Sequence, residues 1–161
     1  MRLWLIGFIL SGIVLNGMGC AVAQEESQMV GKRAADFTLE RVKGTSASLY
    51  ELIKGKKAIL FFYASWCPHC REQIKAIEDR KTEIRNDGIE VVLVDVGESK
   101  SQVMRFLKEN KIEQDSFLDA DSFVAQTYQV MGIPTLVFIG ADGVVRYVEY
   151  GLPEDYKKIL N

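Results

Sequence analysis

The chain has 161 residues, 26% of them charged and 48% hydrophobic, and a net charge of -2. That balance fits one globular domain with a real core and argues against a disordered or fibrous chain. There is no basic stripe, so nucleic acid is not expected as a partner.

Residues 1–23 differ from the rest. Arg2 precedes an apolar stretch from Leu3 to Leu15, no further charge occurs before Glu25, and Ala21-Val22-Ala23 has the small-x-small form of a cleavage site. The expected reading is a secretory signal cut after Ala23. An uncleaved membrane anchor and a lipidated Cys20 are the alternatives. Each delivers the domain across a membrane, to a periplasmic or other extracytoplasmic compartment where disulfides persist. Residues 24–30 read as a polar linker and residues 31–161 as the domain.

Within the domain, Asp36 to Leu39 reads as a short strand, and Ser48 as the cap of a short helix from Leu49 to Ile53. Lys57 to Ala64 is almost continuously apolar, as in a central strand covered on both faces. A helix follows up to Asn86, with Ile74, Ile77 and Ile84 turned inward, and Asn86-Asp87-Gly88 stops it. Ile89 to Val96 is a second central strand. Ser99 and Gln102 have capping-box spacing ahead of an amphipathic helix that carries Val103, Phe106 and Leu107. Phe117-Leu118 is a short extended piece. Asp121 to Tyr128 reads as a helix, with Phe123, Val124 and Tyr128 facing the core. Thr135 to Ile139 and Val144 to Tyr150 form a hairpin across Asp142-Gly143, and Glu154 to Leu160 closes the chain as a helix. The alternation predicts an α/β sandwich with a central mixed sheet.

Between the first central strand and its helix lies Trp66-Cys67-Pro68-His69-Cys70. This order puts Cys67 near the N-cap and Pro68 at the first helical position, where its missing N–H is no loss. Free backbone N–H groups and the helix dipole favour a thiolate on Cys67. Cys70 lies one turn on, on the same face, so the two sulfurs can close and reopen a disulfide. A Cys-x-x-Cys pair at a strand-to-helix junction is a strong redox signal. Zinc does not fit, because the third cysteine, Cys20, sits in the N-terminal apolar stretch and the only histidine is His69. A permanent structural disulfide would close too small a loop to stabilise the chain by much.

From Val30 onward the chain resembles the thioredoxin superfamily, in particular its secreted TlpA/ResA-like branch. The resemblance rests on Gly31-Lys32-x-x-x-Asp36-Phe37-x-Leu39, Trp66-Cys67-Pro68-His69-Cys70, Gly132-Ile133-Pro134-Thr135 and Asp142-Gly143. It implies a thioredoxin-like α/β/α sandwich and a cis Ile133–Pro134 bond facing the active site. It also implies thiol–disulfide exchange in which Cys67 attacks and Cys70 resolves. Trp66, Pro68, His69, Ile133 and Pro134 would then tune the pair and form the substrate surface. No cofactor or metal is implied. The implied partners are proteins bearing disulfides or thiols, plus a membrane or periplasmic partner that recycles the pair; a monomer is expected. Reduction of exported proteins is the favoured direction, with cytochrome c maturation and general thiol repair as two family roles.

The departures are specific. Phe61 stands where thioredoxin has a buried aspartate, and Gln73 where ResA-like proteins have a glutamate, with Glu72 beside it. Glu72 and Gln73 are therefore the candidates for moving the Cys70 proton, although an amide cannot accept a proton as a carboxylate does. Pro68-His69 is the dipeptide of the oxidising DsbA family, so a potential between those of thioredoxin and DsbA is expected. Three other readings stay open at this point: a DsbA-like oxidase, a copper metallochaperone and a peroxidase on the same fold.

Overall fold

The computed structural model describes residues 27–160. The leader reading and Cys20 lie outside them. Among the described residues, no helix is long and apolar enough to cross a membrane.

Seven strands form one mixed sheet, flanked by helices on both faces. They are β1 (Thr38–Arg41), β2 (Ala47–Ser48), β3 (Lys57–Tyr63), β4 (Ile89–Val96), β5 (Ser116–Asp119), β6 (Thr135–Ile139) and β7 (Val145–Glu149), in spatial order β2-β1-β5-β4-β3-β6-β7. β4 runs parallel to β3 and β5, whereas β6 is antiparallel to β3 and to β7. β3 is therefore central, with neighbours on both edges, which is why its residues are apolar on both faces. Ile59, Phe61 and Tyr63 point into one core, and Ala58, Leu60 and Phe62 into the other.

The helices divide between the two faces. The first core takes Ile74 and Ile77 from α2 (Pro68–Asp79), Ile84 from α3 (Lys81–Asn86), Val103, Phe106 and Leu107 from α4 (Lys100–Glu109), and Tyr156 from α6 (Tyr156–Ile159). The opposite core takes Leu49 and Ile53 from α1 (Leu49–Ile53) and Val124 from α5 (Phe123–Thr127). Phe37 and Tyr128 meet edge to face there, with ring centroids 6.4 Å apart.

Local signals act as expected at several ends. Ser48 and Glu51 form a reciprocal capping box on α1, and the Gln102 amide oxygen accepts the Ser99 N–H at 3.1 Å. Gly143 takes φ +79° in the β6–β7 turn, where a side chain would be strained.

Several details differ from the sequence reading. The segment after the Cys-x-x-Cys motif is two helices, α2 and α3, broken at Arg80, whose φ/ψ of -102°/5° leaves the helical region. The first strand starts at Thr38, not Asp36, because Asp36 and Phe37 are tied to α1: the Asp36 carboxylate accepts the Tyr50 N–H and the Phe37 carbonyl accepts the Leu49 N–H. Phe123 is 67% exposed and lies outside the core; as the first residue of a five-residue helix it points away from the sheet, while Val124 and Ala125 are buried.

Candidate active site

β3 ends at Tyr63, and five residues later α2 begins at Pro68. Cys67 is the N-cap, in extended conformation, and its sulfur accepts the Cys70 N–H at 3.2 Å. This is one of the free N–H groups at a helix start that the sequence leads one to expect. Cys67 and Cys70 form a disulfide with Cα atoms 5.3 Å apart. Cys67 keeps 5% of its surface exposed and Cys70 none. The asymmetry is chemical: an incoming group can reach only Cys67, while Cys70 sits beneath it in the core beside Ile74.

The surroundings come from two other segments. The loop before β6 places the Ile133 carbonyl oxygen 3.9 Å from Cys67 Sγ. The Ile133–Pro134 bond is cis; Pro134 is buried and Ile133 half-buried. Trp66 is 66% exposed beside the disulfide, and Met131 is exposed one residue before Gly132. Pro68 and His69 are exposed on the first turn of α2.

The two residues considered for proton transfer have other partners. Glu72 faces solvent and pairs with His69 across 3.5 Å, both side chains largely exposed. Gln73 uses its amide oxygen to accept the Leu152 N–H at 2.8 Å, which ties α2 to the segment after β7. Phe61 is fully buried and stacked on Tyr63, with centroids 5.9 Å apart.

A group absent from the sequence reading lies behind the disulfide turn. Ser65 donates both its N–H and its hydroxyl to the Glu98 carboxylate, the hydroxyl at 2.7 Å. The Ser65 carbonyl accepts Arg71 Nε at 2.7 Å. Glu98 N–H donates to Asp95 Oδ1 at 3.2 Å. Asp95 is wholly buried, and its Oδ2 is the one buried side-chain polar atom without a partner among the described residues. Burial first, and then the Glu98 carboxyl, pushes the Asp95 carboxyl up to about 8. Its register partner on β3, Tyr63, donates its hydroxyl to Ser116 at 2.9 Å and is also raised by burial. One signal was present in the sequence: Asp95 is an acid near the end of a central strand whose other charged residue, Glu90, lies at its start.

Comparison with known proteins agrees with this geometry. The AhpC/TSA family profile matches residues 30–148. The chain belongs to the AhpC/TSA family, on a thioredoxin fold. It is 33% identical over 153 residues to the thiol-disulfide oxidoreductase ResA of Bacillus subtilis (strain 168), covering 89% of this chain and 84% of that protein. Among solved structures, StoA from Bacillus subtilis matches with a TM-score of 0.66 and 26% identity, over 80% of this chain and 98% of that one. A thiol:disulfide interchange protein of the thioredoxin family from Chlorobium tepidum TLS matches with the same TM-score and 28% identity, over 80% and 92%. The Cys67–Cys70 pair at the start of α2 thus stands in a family whose relatives are named for exchanging disulfides.

Proposed function

We propose that this protein is a thiol–disulfide oxidoreductase that reduces disulfides of exported proteins through Cys67 and Cys70. The observation that carries the reading is the pair itself: a disulfide at a helix start, one sulfur at the surface and the other beneath it. In the reduced protein, Cys67 is the attacking thiolate, supported by the helix N-terminus and the Cys70 N–H. It attacks one sulfur of the substrate disulfide and forms a mixed disulfide, and the other substrate sulfur leaves as a thiolate. Cys70 then attacks Cys67, closing the observed disulfide and releasing the second substrate thiol. The substrate's two sulfurs gain two electrons, which the cysteine pair loses. Trp66, Met131 and the Ile133 carbonyl form the surface against which an extended substrate segment would lie.

The Arg2-led apolar N-terminus supports an extracytoplasmic site of action, and reduction there requires a redox partner that returns electrons to the pair. The haem-binding thiols of cytochrome c are one substrate class that the TlpA/ResA-like resemblance implies.

Cys70→Ser should accumulate mixed disulfides with substrates, and Cys67→Ser almost none, when both are expressed in cells and separated under non-reducing conditions. Equal trapping by the two variants would overturn the assignment. Insulin reduction by the purified wild type tests the activity directly, with peroxide turnover and copper titration as the discriminating controls.

A further inference from the structure

We propose that Asp95 and Glu98 are positioning residues for the Cys67–Cys70 couple: Glu98 holds the turn that carries Cys67, and the buried Asp95 makes that hold depend on pH. The inference rests on the oxidoreductase reading and adds to it a group that no part of the exchange step requires.

The geometry runs in one chain of bonds. Asp95 Oδ1 accepts the Glu98 N–H, and the Glu98 carboxylate takes both donors of Ser65. Ser65 lies two residues before Cys67, and the Cys67 N–H bonds back to the Ala64 carbonyl. Arg71, from the first turns of α2, closes the other side of the same turn at the Ser65 carbonyl. Shifting Glu98 therefore shifts the N-cap of α2, where the reactive sulfur sits.

Asp95 is the part of this arrangement that lacks compensation. The groups facing it are Glu98 from the following loop, Asp119 from β5 and Tyr63 from β3, with Ser116 behind the Tyr63 hydroxyl. All are acidic or neutral; Arg71 reaches the turn but bonds to Ser65. Asp119 shows what a compensated carboxylate looks like in the same region, since its two oxygens accept the Val124 and Ala125 N–H groups at 3.0 and 2.8 Å. Asp95 Oδ2 accepts nothing. A neutral Asp95 can sit there beside the Glu98 carboxylate. An ionised one places a second buried negative charge against the first, which loosens Glu98 from Ser65 and opposes a thiolate on Cys67.

The test is the alkylation rate of Cys67 by iodoacetamide between pH 6 and 10, in a Cys70→Ser background, with and without Asp95→Asn or Glu98→Gln. The rate follows the thiolate fraction. D95N keeps an acceptor for the Glu98 N–H but cannot ionise. The alkylation midpoint of D95N should lie about half a pH unit below that of the Asp95-containing protein, the size of one partly screened charge. Glu98→Gln should move the alkylation midpoint to lower pH. Midpoints unmoved in both variants would overturn the proposal. A variant that fails to fold leaves a measurement on the native protein. By linkage, the carbon-13 titration midpoint of the Asp95 carboxyl must differ between oxidised and reduced protein, and equal midpoints would refute the coupling. None of these readouts requires a substrate, so failure to reduce insulin would count against the function and not against this coupling.

Discussion

Replacing Asp95 by Asn should stabilise the oxidised protein at neutral pH, by an amount that grows with pH. The folded state holds the Asp95 proton up to about pH 8, whereas the unfolded chain releases it near the ordinary value of 3.8. Between those limits the folded state binds more protons, so stability falls as pH rises through that window. Each pH unit inside it is worth about 1.4 kcal/mol. Three units would give a ceiling of about 4 kcal/mol by pH 7. Water reaching the ionised carboxyl and a readjusting Glu98 reduce this, and about 2 kcal/mol is the expected size. D95N loses the titration but keeps the acceptor for Glu98 N–H. Urea denaturation of both proteins between pH 4.5 and 7.5, at a common m-value, measures the difference. D95N should match the native protein in stability near pH 4.5 and exceed it by about 2 kcal/mol at pH 7.5. A stability difference that stays constant across this range would mean that Asp95 is ionised in the folded state, and the argument from its burial would fail.

Other outcomes follow from the packing. Phe61→Ala should cost about 3–5 kcal/mol, because Phe61 is fully buried and stacks on Tyr63; thermal unfolding with loss of less than 1 kcal/mol would refute that placement. Gln73→Ala should cost about 1 kcal/mol and speed hydrogen exchange at the Leu152 amide, whose acceptor it removes; an unchanged amide would show that the tie to α2 is not formed in solution. His69→Ala should move the potential, measured against glutathione, by no more than ~20 mV, since an exposed pair is worth under about 1 kcal/mol and His69 sits at the surface with Glu72.

The parts of this molecule that were legible in the sequence are those set by local chemistry. An apolar β3 without alternation marked a central strand, Pro68 after Cys67 marked a helix start, and Asp142-Gly143 marked the final hairpin. The break at Arg80 was not legible, because α2 and α3 share one inward row through Ile74, Ile77 and Ile84, and no Gly or Pro separates them. Phe123 was assigned to the core on hydrophobicity alone; a five-residue helix is too short for periodicity to fix which side faces the sheet. In the active site, the cysteines and the Gly132-to-Thr135 segment could be picked out by motif. Asp95, Glu98 and Ser65 could not, because their relation is long-range: Ser65 and Glu98 are 33 residues apart and meet only once β3 and β4 pair in parallel.

That pairing explains why the proton question has a different answer here from the one suggested by residues near the cysteines in sequence. Phe61 stacks on Tyr63 in the core that also holds both cysteines, so this position offers no carboxyl. Gln73 is committed to Leu152, and Glu72 to the solvent face. The nearest acids with any hold on the Cys67 turn are then those at the end of β4, which reach it through Ser65. A parallel neighbour brings its C-terminal end to the same edge of the sheet as the C-terminal end of β3, where α2 begins, so an acid there faces the redox turn wherever it lies in the chain. His69 and Glu72 are largely exposed, where water screens any interaction with the pair, whereas Asp95 is wholly buried. Of the ionisable groups around the pair, the buried acid therefore has the greater leverage on how Cys67 responds to pH, although it is the more distant of the two in sequence.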